Sequence, residues 1–194
     1  MSSLMAAKHE NHEQVYETDD VVYRKASLVD DDILKSILRE NTMESWVTLS
    51  AEHEPSYFDA TDLFGKTETI LAYKSGDEKS TVGMCSSVTM PVYINGSPVN
   101  AGYLSELRVT AEFRNKLGIV RNGFKSVQVL NESQQALSYW FTSLAKENYR
   151  ARRLLEANLK GMPVYRPKGE LVTVALPTSS GKQSDCLQPA QLQD

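Results

Sequence analysis

A change of hydrophobic period between Asn100 and Leu130 constrains this chain more than any other feature. Over residues 101 to 109 the apolar groups Tyr103, Leu104, Leu107 and Val109 read as a strand, whereas Ile119, Val120, Phe124, Val127 and Leu130 recur at three- and four-residue intervals. The switch falls inside Phe113-Arg114-Asn115-Lys116-Leu117-Gly118-Ile119, so the stretch predicts strand, tight polar turn and helix. A helix beginning there presents unpaired backbone N–H groups and the positive end of its dipole, flanked by Arg114 and Lys116, which together suit an anion such as a phosphate. A surface turn with solvated charges accounts for the same residues about equally well.

The elements around this stretch follow from the same reasoning. Residues 1 to 19 offer few large apolar groups and read as a flexible leader. Residues 20 to 27 read as a strand, and Asp30-Asp31-Asp32 then supplies an N-cap and negative charge for a helix carrying Ile33, Leu34, Ile37 and Leu38. One or two short helices fit residues 41 to 66 best. From Glu68 the pattern turns sheet-like, with a polar turn at residues 75 to 80, and Asn95-Gly96 gives the strongest hairpin signal in the chain. Three antiparallel strands therefore precede the polar turn. Residues 138 to 145 read as a further strand, which makes a right-handed βαβ unit with the strand near 99 to 109 and sets those two strands parallel. A helix over 146 to 160, stopped by Gly161, and a last strand near 170 to 176 complete the domain. One domain over 20–177 is expected, with a flexible tail over 178–194.

Composition narrows the function classes. The formal charge of -4 over 194 residues, with Arg150, Arg152 and Arg153 as the one basic cluster, argues against nucleic acid as the main partner. Two cysteines, Cys85 in an apparent strand and Cys186 in the polar tail, indicate a reducing compartment. His9 and His12 lie in the leader and His53 stands alone, so no zinc-ligand spacing exists and no metal is expected. No apolar run approaches the ~20 residues that cross a bilayer, so the expectation is a soluble cytoplasmic protein without a membrane partner.

The order of these elements resembles the GNAT superfamily of acyl-CoA-dependent N-acyltransferases. YRKASLVDDDILKSIL looks like the family's opening strand and helix, LRVTAEFRNKLGI like its coenzyme-binding strand and loop, and NYRARRLLE from Asn148 to Glu156 like its second coenzyme motif. EPSYF, GMCSSVTMPVYINGSPVNAGYLSELRV and GMPVYRPKGELVTVAL are together similar to a bacterial subgroup of unassigned substrate. The resemblance spans about residues 21 to 176. It implies an α/β fold: a mixed, mostly antiparallel sheet of six to seven strands with about four helices, its parallel pair splayed at the coenzyme site. It also implies N-acetyltransferase activity, with acetyl-CoA as co-substrate and a primary amine of a small molecule or peptide as acceptor. A homodimer is compatible with it.

Site residues carry over one at a time. The strand before the loop, Leu107, Arg108 and Val109, takes the role of pairing with the pantetheine arm. Backbone amides of Arg114, Asn115, Lys116, Leu117, Gly118 and Ile119 take that of holding the pyrophosphate. Asn148 takes the motif's coenzyme contact or caps its helix, or both. Two positions depart from the family: Leu117 and Ile119 stand where loop glycines are usual, and Leu155 stands where many relatives have a tyrosine that protonates the departing thiolate. Both departures favour an alternative, a non-catalytic acyl-CoA-binding or regulatory module. A nucleotide-binding βαβ protein is disfavoured, since a lone loop glycine and no acidic ribose partner make a poor dinucleotide fingerprint. Glu106 is the candidate catalytic base, being a carboxylate in an otherwise apolar strand beside the coenzyme segment, where loss of water would make it a better proton acceptor. An ion pair with Arg108 or another cation is the structural alternative.

Overall fold

The computed structural model describes residues 13–42, 52–59, 65–134 and 137–172. In chain order the elements are β1 (Gln14–Glu17), β2 (Val21–Lys25), α1 (Asp31–Glu40), β3 (Lys66–Lys74), β4 (Asp77–Ile94), β5 (Ser97–Val109), α2 (Leu117–Gln134), β6 (Trp140–Phe141) and α3 (Tyr149–Leu155). The strands form one sheet in the order β1-β2-β3-β4-β5-β6, antiparallel except for the parallel β5–β6 pair. This is the mixed α/β architecture expected, with six strands and three α-helices among the described residues.

Local chemistry sets the long meander. Asn95 and Gly96, with φ of 52° and 79°, both adopt the positive φ that a two-residue hairpin turn demands, and the β4–β5 ladder runs from Ile94↔Ser97 to Gly83↔Val109. Gly76, at φ 77°, turns β3 into β4 in the same way. Opposite faces of the sheet then bury two separate cores. Val21, Tyr23, Ile70, Ala72, Val82 and Phe113 pack with Ile119, Val127 and Leu130 of α2. On the other face Leu71 and Met84 pack with Tyr57 and with Leu34, Ile37 and Leu38 of α1. The three α1 side chains are almost fully buried, each contributing on the order of 2 kcal/mol.

Several boundaries differ from the sequence reading. Within the leader expected over 1 to 19, Gln14–Glu17 instead adds an edge strand to β2, with Lys125 Nζ 4.4 Å over the Tyr16 ring, and residues 1–12, like the tail expected over 178–194, lie outside the described residues. The strand expected over 138 to 145 shrinks to Trp140–Phe141: the ladder ends at Tyr103↔Phe141, and at the next position the Thr142 hydroxyl, a side-chain donor, bonds the Leu104 carbonyl at 2.7 Å. Tyr139 and Phe141 are 51% and 46% exposed, so neither is interior. The helix expected over 146 to 160 is Tyr149–Leu155, and Gly161 (φ 79°) turns a later bend against Arg121 rather than stopping the helix. Residues 170–172 are not in a strand, and 173–176 lie outside the described residues, as does much of the helical region expected over 41 to 66. Its described part, residues 52–59, contains no helix.

Asp30 stands at the N-cap position of α1 but its side chain makes no capping hydrogen bond to the helix, and the aspartates there serve the neighbouring segments instead. Asp30 makes a buried bidentate pair with Arg24 of β2, at 2.6 and 2.7 Å, and accepts the Ser27 N–H at 2.9 Å. Asp31 Oδ1 accepts the Tyr57 N–H at 2.7 Å and the Ser56 hydroxyl at 2.8 Å. Together they fasten the helix to the sheet and bring the 55–58 segment over it.

Candidate active site

The site forms where β5 breaks its own regularity. Ser86 pairs with Ser105 and Met84 with Arg108, so Glu106 and Leu107 together oppose Cys85 in a β-bulge. Glu106 takes φ 53°, a left-handed conformation costly for a side chain with a Cβ and one that clusters at functional sites. Strict alternation from Ser105 would put Glu106 on the α2 face; the bulge returns it to the α1 face beside Ser86.

There it meets residues from three other segments. Glu106 Oε2 accepts from the Tyr57 hydroxyl at 2.5 Å and from Ser86 Oγ at 3.0 Å, while Oε1 lies 2.8 Å from His53 Nε2. The Tyr57, Thr69 and Ser86 hydroxyls stand 2.9 Å from one another. The His53 and Tyr57 rings stack with centroids 4.9 Å apart. Burial, and then the charge of Glu106, push the Tyr57 phenol well above its ordinary range, so it acts as a donor. Arg108 shares this strand, and burial lowers its pKa against the opposing pull of Glu106. Among the described residues its Nε is buried without a partner, and an Nη donates to the Leu107 carbonyl at 3.2 Å.

On its other side β5 stops being paired. The β5–β6 ladder ends at Tyr103↔Phe141, and the Thr142 hydroxyl takes the Leu104 carbonyl at 2.7 Å. From Ser105 to Val109, among the described residues, no strand lies beside that edge, and Leu107 is 37% exposed. An extended ligand arm could add there as a strand.

The polar turn follows at once. Its period change was legible: a single turn over Ala111–Phe113 leads into α2 at Leu117. Arg114 is turned back to the scaffold, donating to Asn41 Oδ1 at 2.7 Å and to the Val109 carbonyl at 3.2 Å. Lys116 Nζ lies 4.6 Å over the Phe113 ring. The N–H groups of Lys116 and Ile119 are bonded within the turn at 3.0 Å each. Gly118 faces open space, with nothing within 4 Å of an added Cβ. From α3, Arg150 reaches the turn and donates to Asn115 Oδ1. Asn148 caps α3 by accepting the Ala151 N–H at 3.1 Å, and Leu155 is buried packing.

Sequence reasoning located Glu106 but missed its partners. His53 stands alone in the sequence, and Tyr57 lies in the 41 to 66 stretch with nothing local to link it to residue 106. The signal that was present is polarity out of place: Thr69 and Ser86 interrupt strands whose neighbours on that face, Leu71 and Met84, are buried apolar groups. Cys85, opposite the bulge, is held as a thiol because burial pushes it up to about 12, so a thiolate nucleophile is disfavoured there. Among the described residues no cluster of metal-ligating side chains is present, and no helix is long and apolar enough to cross a membrane.

No family model and no curated protein matches the chain by sequence. Solved structures match it by shape. A Trypanosoma brucei acetyltransferase superposes with a TM-score of 0.57 at 11% identity, covering 81% of this chain and 100% of that one. The aminoglycoside N-acetyltransferase AAC(6')-Iy, in complex with CoA, gives 0.56 at 12% identity over 82% and 98%. A Bacillus halodurans protein described as a transcriptional regulator gives 0.60 at 14% identity over 80% and 99%. At these identities the likeness shows the fold alone: this chain has the fold of the acetyltransferases on which it superposes.

Proposed function

We propose that this protein transfers an acetyl group from acetyl-CoA to a primary amine of a small molecule or peptide. The observation that carries the reading is the bulge at Glu106: one irregularity puts a hydrogen-bonded carboxylate on one face of β5 just where the opposite edge of the strand is left open. The residues fit the coenzyme in kind. Leu107 to Val109 offer an unpaired strand edge to its amide-bearing arm, and the start of α2 with Lys116 and Arg150 nearby offers N–H groups and cations to its phosphates. The CoA bound to AAC(6')-Iy supports the same ligand here.

In this reading the amine nitrogen bonds to the thioester carbonyl carbon and the carbon–sulfur bond breaks. Glu106 draws the first proton off the ammonium, directly or through its hydrogen-bond partners, so that a neutral amine attacks. With Leu155 in place of a tyrosine, the departing thiolate takes the second amine proton through solvent. The test is thiol release on mixing the protein with acetyl-CoA and a panel of amines. Release with at least one amine is expected. Thermal stabilisation by acetyl-CoA with no release from any amine would instead favour a coenzyme-binding module.

A further inference from the structure

We propose that His53 is the group that takes the proton from the attacking amine, at Nδ1, and that Glu106 acts through it as a positioning carboxylate. This rests on the transfer reading and names the path that the proton follows within it. Both oxygens of Glu106 are occupied: Oε2 by Tyr57 and Ser86, at 2.5 and 3.0 Å, and Oε1 by His53 Nε2 at 2.8 Å. A carboxylate oxygen only accepts, so Nε2 carries the hydrogen. In neutral imidazole the lone pair is then on Nδ1. That hydrogen placement follows from the pairing itself.

Among the described residues, His53 Nδ1 is buried and has no hydrogen-bond partner. Buried polar atoms in native proteins nearly always have one, and an orphan calls for an explanation. A donor that arrives only with substrate supplies it, whether the ammonium itself or one intervening water. The ring is held for that role. It stacks on Tyr57 at 4.9 Å with 33° between planes, and its side chain keeps 20% exposure.

The other groups of the cluster do not serve. The Tyr57 hydroxyl already donates to Glu106, and burial keeps it protonated. Ser86 and Thr69 are neutral hydroxyls bonded to each other and to Tyr57. Arg108, whose Nε also lacks a partner, can only donate. In sequence order, R–NH3⁺ gives one proton to Nδ1, the freed lone pair attacks, and the imidazolium keeps its Nε2–H bond to the Glu106 carboxylate. The second amine proton leaves as the thiolate departs, and His53 returns its own to solvent.

Two measurements test this on the full chain. The protein has three histidines, so nitrogen-15 spectra of wild type and His53→Gln identify the His53 signals. A single Nε2–H tautomer is expected, lost in Glu106→Gln, whose amide can accept from or donate to Nε2 and so pairs with either tautomer. An Nδ1–H tautomer overturns the inference. With an amine that turns over, His53→Gln should lower the rate at neutral pH by roughly 10² to 10⁴, leave the KM for acetyl-CoA unmoved, and recover as pH rises and free amine accumulates. Among the described residues the titratable groups placed against the His53 ring are Glu106 and Tyr57, so the double variant His53→Gln/Glu106→Gln is included. It should be no slower than the slower single, as expected of groups acting as a unit. A wild-type rate in His53→Gln beside a slow Glu106→Gln sinks this inference alone, whereas a wild-type protein that acetylates no amine sinks it together with the transfer reading.

Discussion

Two regions meet at the end of β5 and are built in opposite ways. Around Glu106, side chains from separate segments converge: His53 and Tyr57 from the 52–59 stretch, Thr69 from β3 and Ser86 from β4, with Tyr57, Thr69 and Ser86 buried. Around Arg114–Ile119 one contiguous stretch supplies almost everything, its side chains mostly exposed and its contribution chiefly backbone. A buried network fixes charge and direction to a few tenths of an ångström, which proton transfer needs. A helix start with solvated cations holds a diffuse anion with less demand on geometry. The difference predicts that mutations at the two places should separate cleanly, rate from affinity.

The largest effect is expected at the carboxylate. Glu106→Gln keeps shape and can still accept from Tyr57, but removes the charge, so acetyl transfer at neutral pH should fall by roughly 10² to 10⁴ while acetyl-CoA affinity barely moves. Steady-state kinetics with calorimetry checks both halves at once. Equal losses of rate and coenzyme affinity would erase the contrast between the two regions, because the network would then be serving the coenzyme site. A variant that merely unfolds would reveal the structural role instead, and its melting temperature distinguishes that case.

A smaller effect belongs to the turn, and it should split between two residues. Lys116 is exposed over the Phe113 ring, so Lys116→Ala should weaken acetyl-CoA binding without changing stability. Arg114 also holds the carbonyl oxygen of the buried Asn41 at 2.7 Å. Arg114→Ala should therefore lower the melting temperature as well as the affinity. Together the two should cost about 1 to 3 kcal/mol of binding, the range for lost charge-assisted hydrogen bonds. Unchanged affinity in the double variant would place the phosphates on another loop.

The same contrast explains what could be read from the chain. The turn and its helix were legible because their signal is periodic and local: Val109 to Ile119 switches period within a few residues, and Asn95-Gly96 marks the hairpin that delivers β5. The Glu106 cluster was not, because it depends on register. Tyr57 and Glu106 are 49 positions apart, and only the β4–β5 bulge decides that Glu106 turns toward Ser86 rather than away from it. No periodic pattern encodes one extra residue in a strand. The shortness of β6 is hidden for a similar reason: residues 138 to 145 fit a strand by propensity, but pairing ends at Phe141, where a side-chain hydrogen bond from Thr142 to the Leu104 carbonyl follows. Polar residues at inward strand positions, Thr69 and Ser86, are the part of the cluster that the sequence does display.

The last prediction sharpens the comparison from the scaffold's side, by asking what holds the Tyr57 segment over the sheet. Asp31 accepts the Tyr57 N–H and the Ser56 hydroxyl and pairs with Lys35 Nζ at 2.7 Å. The hydrogen bond from Lys35, then that from Ser56, lower its carboxyl to about 2 from the ordinary 3.8. A folded value below the unfolded one means that the native state favours the charged form. The stabilisation is therefore complete above about pH 4 and lost as pH falls toward 2. Thermal melts between those limits should show wild type losing stability more steeply than Asp31→Asn, which has no proton to take up, with the two curves running parallel above pH 5. The effect is small because Asp31 is partly exposed, and nothing at the Arg114 turn should respond to it. An identical acid slope in both proteins would mean that the 55–58 segment is held by its apolar contacts alone, with Tyr57 seated against Leu34 and Leu71 whether or not its amide is bonded.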